Sequence, residues 1–125
     1  MSSSIEVKNA QKSYGKDENK NLILKGLNMR VEAGKIYSLI GASGCGKTTL
    51  LQCILGMKSL DCGSISVLGR VVKSTKVNKF SHLMGYMPQQ TSLVPELTIK
   101  ESLYYFGNIF QMSQEDLKMR WEMRV

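Results

Sequence analysis

The chain has 125 residues, 42% hydrophobic and 22% charged, which is ordinary for a soluble globular protein and limits it to one domain or part of one. A formal net charge of +7 favours an anionic partner, whether a nucleotide, a nucleic acid or an acidic membrane surface. The basic residues are spread over Lys8, Lys12, Lys16, Lys25, Arg30, Lys73, Lys76, Lys79 and the stretch from Lys118 to Arg124, without a dense run or aromatic interleaving, so they read as a solvated surface and no nucleic-acid partner is expected.

Cys45, Cys53 and Cys62 make an odd count with no C-x-x-C pair, which indicates neither a disulfide framework nor a zinc site and fits a reducing compartment. The N-terminal Met-Ser-Ser-Ser start lacks the apolar core of a secretory signal. No apolar stretch approaches the roughly 20 residues needed to cross a bilayer.

In chain order, alternation predicts a short strand over Ile5–Lys8 and a second extended stretch over Leu22–Val31, with Leu27, Met29 and Val31 on one face. The polar Gly15–Asn21 segment between them reads as an exposed loop, and Glu32–Lys35 as a tight turn. Lys35–Ile40 is compact and mostly apolar, as in a strand buried on both faces of a parallel sheet. From Thr48 to Met57 the period becomes helical, with Leu50, Leu51, Ile54 and Leu55 on an apolar face and Gly56 as a C-cap candidate. Ser64–Leu68 and Val71–Val72 flank Gly69-Arg70 as a small hairpin, and Lys73–Lys79 reads as an exposed linker. Leu83–Met87 reads as a short strand stopped by Pro88. Ile99–Phe110 has helical spacing through Leu103, Phe106 and Ile109, with Thr98 and Glu101 placed for a capping box. A charged helical stretch follows from Gln114, with no internal repeat.

Gly41-Ala42-Ser43-Gly44-Cys45-Gly46-Lys47-Thr48 matches G-x-x-x-x-G-K-S/T, between a predicted strand and a predicted helix, which is the context a phosphate-binding P-loop requires. Glycines let successive N–H groups point inward at phosphate oxygens, and the helix start adds its positive dipole end. Lys47 then reaches the β- and γ-phosphates of a nucleotide, the Thr48 hydroxyl is placed for Mg2+, and Thr49 can donate to the α-phosphate. Cys45 stands inside this loop, where it reads either as an inert small residue or as a thiol that the lysine and helix dipole activate. Its alkylation is expected to block nucleotide binding and ATP to protect it; equal labelling with and without ATP refutes this.

Kinases, GTPases and motor ATPases share a P-loop, and two flanking features narrow the choice. Tyr14, in Lys12-Ser13-Tyr14-Gly15, lies well before the loop, and Met84-Gly-Tyr-Met-Pro-Gln89-Gln90 follows it after one helix and one hairpin. This layout resembles the ATP-binding-cassette (ABC) family across nearly the whole chain. The resemblance implies an α/β fold, a P-loop NTPase-type parallel sheet with an N-terminal antiparallel β portion, of which residues 1–125 are the N-terminal part of one ATP-binding domain. It implies adenine stacking on Tyr14, and contact of Gln89 with magnesium and the attacking water. Gln90 is the rival for that role; Gln89 directly follows Tyr86-Met87-Pro88, as the family's motif does. Lys47 and Gln89 are thus the expected catalytic residues, and Thr48 and Gln89 the magnesium contacts. Ala42 to Thr49, Leu68-Gly69 and Met84 to Gln89 look most like half-transporters of the G and H subfamilies, which implies a membrane exporter held at the cytosolic side by its transmembrane part.

The family completes its site with a Leu-Ser-Gly-Gly-Gln-type signature, an acidic Walker B strand end with a catalytic glutamate, and a late switch histidine; this sequence carries none of them. His82 precedes Gln89 and reads as a loop residue, and Glu96 and Glu101 are poor candidates for the base. The resemblance therefore implies half of one composite site, closed by a second nucleotide-binding domain, in a chain that ends by truncation. Alone it is not expected to turn over ATP. A short strand-and-helix set also leaves a sheet edge uncovered, and Met119 and Trp121 read either as residues awaiting the remainder or as an ordinary helix face. Two other readings are a soluble cassette ATPase acting on ribosome or DNA, and a non-catalytic truncated product.

Overall fold

Two twelve-residue strands, β1 (Ser3–Tyr14) and β2 (Asn21–Glu32), pair antiparallel, both longer than alternation alone predicts. Leu27, Met29 and Val31 are half-buried while Asn28, Arg30 and Glu32 are exposed, so the predicted face is real. Strand β1 carries an extra residue: from Val7 to Ala10 it advances three positions while β2 advances two, from Met29 to Leu27. Asn9 absorbs the bulge with φ 47, and its N–H donates to the Asn28 side chain at 2.9 Å. The bulge lets both Val7 and Ala10 point into the core. The computed structural model describes residues 3–16, 19–73, 83–90 and 93–123, in two units spanning Met1–Ser81 and His82–Val125. His82 and most of the Lys73–Lys79 linker, Lys76 and Lys79 included, lie outside the described residues.

The predicted hairpin is β3 (Cys62–Val67) and β4 (Arg70–Val71), which completes a sheet in the order β2-β1-β3-β4 with every pair antiparallel. Its two-residue turn is Leu68-Gly69, one residue before the expected Gly69-Arg70, because Arg70 pairs with Val67 and both turn residues take positive φ (50 and 75), as a type I′ turn demands. A left-handed leucine is strained, and its side chain is 55% exposed, so burial offsets little of that strain. Leu68→Asn, which supplies the favoured Asn-Gly turn, is expected to stabilise the fold by about 1 kcal/mol in urea denaturation. A lower midpoint would refute the strain argument.

Helix α1 (Lys47–Ile54) lies in the same unit and buries Leu50, Cys53 and Ile54; the sheet contributes Val7, Ala10, Leu24, Ile65 and Val67 to the core. Burial holds the Cys53 thiol above its usual range. Gly56 ends the helix as predicted, at φ 72, in a Schellman motif: its N–H donates to Cys53 O at 3.1 Å and Met57 N–H to Gln52 O at 2.9 Å.

Two predicted strands do not form. Lys35–Ile40 has no strand pairing, and Ile36 and Ile40 are 99% and 90% exposed. Its composition suits a doubly buried strand, but no parallel neighbour lies beside it among the described residues, and a strand without a ladder leaves its backbone to water. Leu83–Met87 is likewise irregular, with Met87 91% exposed, for the same lack of a partner.

The second unit contains α2 (Ile99–Ile109) and α3 (Gln114–Glu122). Thr98 and Glu101 make the predicted capping box: Glu101 N–H donates to Thr98 Oγ1 at 3.3 Å, and Thr98 N–H to Glu101 Oε2 at 2.9 Å. The Thr98 hydroxyl, donating to Glu101 Oε2 at 2.7 Å, and then the Thr98 N–H hold the Glu101 carboxyl below its usual range. Ser113 caps α3. Gly107 of α2 faces the fully buried Leu117 of α3 so closely that a Cβ would collide with its side chain, a contact no periodicity announces. Trp121 is half-buried beneath the Lys100 ammonium at 5.8 Å, while Met119 remains exposed.

Candidate phosphate-binding site

Gly41 to Cys45 run as an exposed loop into α1. Gly46 stands at the N-cap with φ 99, and a Cβ there would approach the Ile23 and Leu24 side chains at 2.8 and 3.2 Å, so both backbone shape and close packing on β2 require glycine. Gly44 turns the loop at φ 79. The helix start has no side-chain cap and no acidic residue in its first turn. Its leading N–H groups and positive dipole end therefore face an approach that carries no competing carboxylate from the helix, an arrangement suited to an anion.

Lys47 folds back across the loop, its Nζ donating to Gly41 O and Ala42 O, each at 2.7 Å. The ammonium thus spans the start and end of the loop, bonded to neutral carbonyls that a charged phosphate oxygen can replace with stronger partners. Cys45 is exposed, with Sγ 3.6 Å from the Lys47 ammonium. Thr48 is exposed on the first turn of α1, with Ser43 on the loop before it. An apolar cavity of about 540 Å³ borders Gly44 to Lys47 on the β2 side, lined by Ile23, Leu24, Leu27 and Leu50 among others.

Tyr14 ends β1, half-exposed, and the fold brings it to α1. Its hydroxyl accepts from Lys58 Nζ at 2.9 Å, and the same ammonium lies 4.6 Å from the ring centroid. Hydrogen bonds from Lys58 and from Thr49, with the Lys58 charge, hold the phenol below its usual range. Thr49, expected at a phosphate, thus meets Tyr14. Asp61 accepts from Ser13 N–H at 2.7 Å and from Lys12 Nζ at 2.8 Å. That pairing depresses the Asp61 carboxyl and raises the Lys12 ammonium. Lys58 and Asp61 escape sequence reading, because 44 and 49 residues separate them from Tyr14 and Lys12 and neither belongs to a motif. Gln89 is exposed and belongs to the second unit, whereas the loop, Tyr14 and Thr48 belong to the first.

The loop and its helix define a P-loop nucleotide-binding fold. The family model described as ABC transporter matches residues 24–124, and the chain belongs to that family. It is 37% identical over 111 residues to the Nod factor export ATP-binding protein I of Burkholderia lata, covering 89% of this chain and 35% of that protein. It is also 37% identical over 114 residues to ABC transporter G family member 23 of Dictyostelium discoideum, covering 90% of this chain and 15% of that one. Among solved structures, a dimeric ATP-binding cassette in a post-hydrolysis state bound to ADP and Pi superposes with a TM-score of 0.76 at 27% identity, over 93% of this chain and 53% of that chain. The chain thus spans about a third of the first of these relatives and about half of the solved cassette. The α/β cassette class predicted from the sequence holds; the antiparallel β portion and its helices are the part formed among the described residues.

Proposed function

We propose that this chain is the ATP-binding segment of an ABC exporter, forming the N-terminal part of one nucleotide-binding domain with the Walker A loop and the Q-loop. The observation that carries this reading is the uncapped start of α1 behind a glycine loop, with Lys47 bridging Gly41 and Ala42. In this reading Gly41, Ala42, Ser43, Gly44, Cys45 and Gly46 present backbone N–H groups to the phosphates. Lys47 exchanges its carbonyl partners for β- and γ-phosphate oxygens, Thr49 lies near the α-phosphate, and Tyr14 stacks on adenine.

The residues fit a magnesium ion held mainly through phosphate oxygens. Thr48 offers a hydroxyl on the exposed first turn of α1, and among the described residues no cluster of His, Cys, Asp or Glu forms a separate metal cage. Such an ion would neutralise phosphate charge, with Gln89 as its second protein contact and the residue that orients the attacking water. Catalysis then belongs to the whole protein, whose second nucleotide-binding domain closes the site. A transmembrane domain would receive the coupled motion and hold the assembly at the cytosolic face; among the described residues no helix is long and apolar enough to cross a membrane.

Relatives named for export support this reading over a cassette ATPase of ribosome or DNA. The test is an immunoblot of fractionated native cells with an antibody to this segment. A large membrane-integral band supports the exporter, and a soluble band lacking any membrane-bound partner refutes it.

A further inference from the structure

We propose that Lys58 is a positioning residue for purine recognition, holding the Tyr14 ring by its hydroxyl beside the P-loop helix so that the ring is pre-set for stacking on the base. This rests on the nucleotide-binding reading above and extends it to a residue outside every motif.

Lys58 makes two contacts with one side chain, a 2.9 Å bond to the phenol oxygen and a cation–π approach 4.6 Å from the ring centroid. Its own backbone is anchored, since Lys58 N–H donates to Gln52 O at 3.2 Å at the closing end of α1. Thr49, on the first turn of the same helix, is a further partner of the Tyr14 hydroxyl. Tyr14 is thus held both from the first turn of the eight-residue helix, beside the phosphate loop, and from the segment just beyond its end. Asp61 fixes the backbone just before Tyr14 by accepting from Ser13 N–H at 2.7 Å.

A tyrosine at an exposed strand end would otherwise lose rotamer freedom on stacking, and a pre-set ring avoids that loss. The ammonium holds the ring by its hydroxyl end, and Lys12 Nζ, 5.9 Å from the same centroid, adds a second cation beside it.

The experiment titrates the full chain with MgATP and, separately, with inorganic tripolyphosphate and magnesium. Lys58→Met is expected to weaken MgATP about fivefold while leaving tripolyphosphate unchanged. Lys58→Arg is expected to recover most of the ATP affinity, and Lys58→Met in a Tyr14→Ala background to cost nothing further. Equal weakening of both ligands, no weakening of ATP, or an undiminished loss in the Tyr14→Ala background would each overturn the assignment. Binding of neither ligand by the unaltered chain would overturn the nucleotide reading itself, and this inference with it.

Discussion

Lys47→Ala is expected to abolish measurable MgATP binding while leaving the fold as it is. The ammonium is the one side-chain cation that bridges the loop among the hydrogen bonds described, and charge-assisted bonds to two phosphates are worth about 1.5–3 kcal/mol each. Their loss corresponds to an affinity decrease on the order of 100-fold or more. The fold survives because Gly41 and Ala42 are exposed, so the carbonyls released by Lys47 pass to water rather than becoming buried and unpaired. Isothermal titration together with a urea melt checks both halves. Unchanged affinity refutes the phosphate site, whereas a shifted melt refutes the claim that Lys47 is not structural.

Leu50→Ala should have the largest effect on stability. Leu50 is 1% exposed and lies one turn into α1, where it joins the buried Cys53 and Ile54 to the sheet residues Leu24 and Ile65 in the core of the first unit. Removing its isopropyl group leaves a void beside a cavity that already exists under the loop, and truncations of this kind cost about 2–5 kcal/mol. Since domains are stable by only about 5–15 kcal/mol, the variant should unfold at markedly lower urea. Nucleotide binding should weaken with it, because α1 carries the loop. A midpoint near that of the unaltered chain would mean that Leu50 does not hold the helix to the sheet.

The elements that sequence reading places correctly are those whose signal is local. The helix starting at Lys47, the Thr98–Glu101 capping box and the Gly56 stop each depend on a few adjacent residues and the hydrogen bonds within their reach. The two misplaced strands share the opposite property. Lys35–Ile40 and Leu83–Met87 have strand-like composition, but a strand exists only with a neighbour, and none is paired to them among the described residues. The bulge at Asn9 and the Gly107–Leu117 contact were also invisible, the first because register is a property of two chains of residues and the second because glycine in a helix announces no partner.

By itself, the sequence determined the P-loop, its place before a helix, the family and the chemistry its residue types allow, because those reside in glycine spacing, one lysine and hydroxyls at adjacent positions. Only the tertiary structure decided that Lys47 bridges Gly41 and Ala42, that Tyr14 meets Thr49 and Lys58, and that Asp61 ties down Ser13. The reason is physical: the Lys47 bonds depend on the path of the loop, whereas the Tyr14 and Asp61 contacts join residues brought together by the antiparallel pairing of β1 with β3 and the return of the chain after α1, selected by burial of Val7, Leu50 and Ile65 rather than by any local preference.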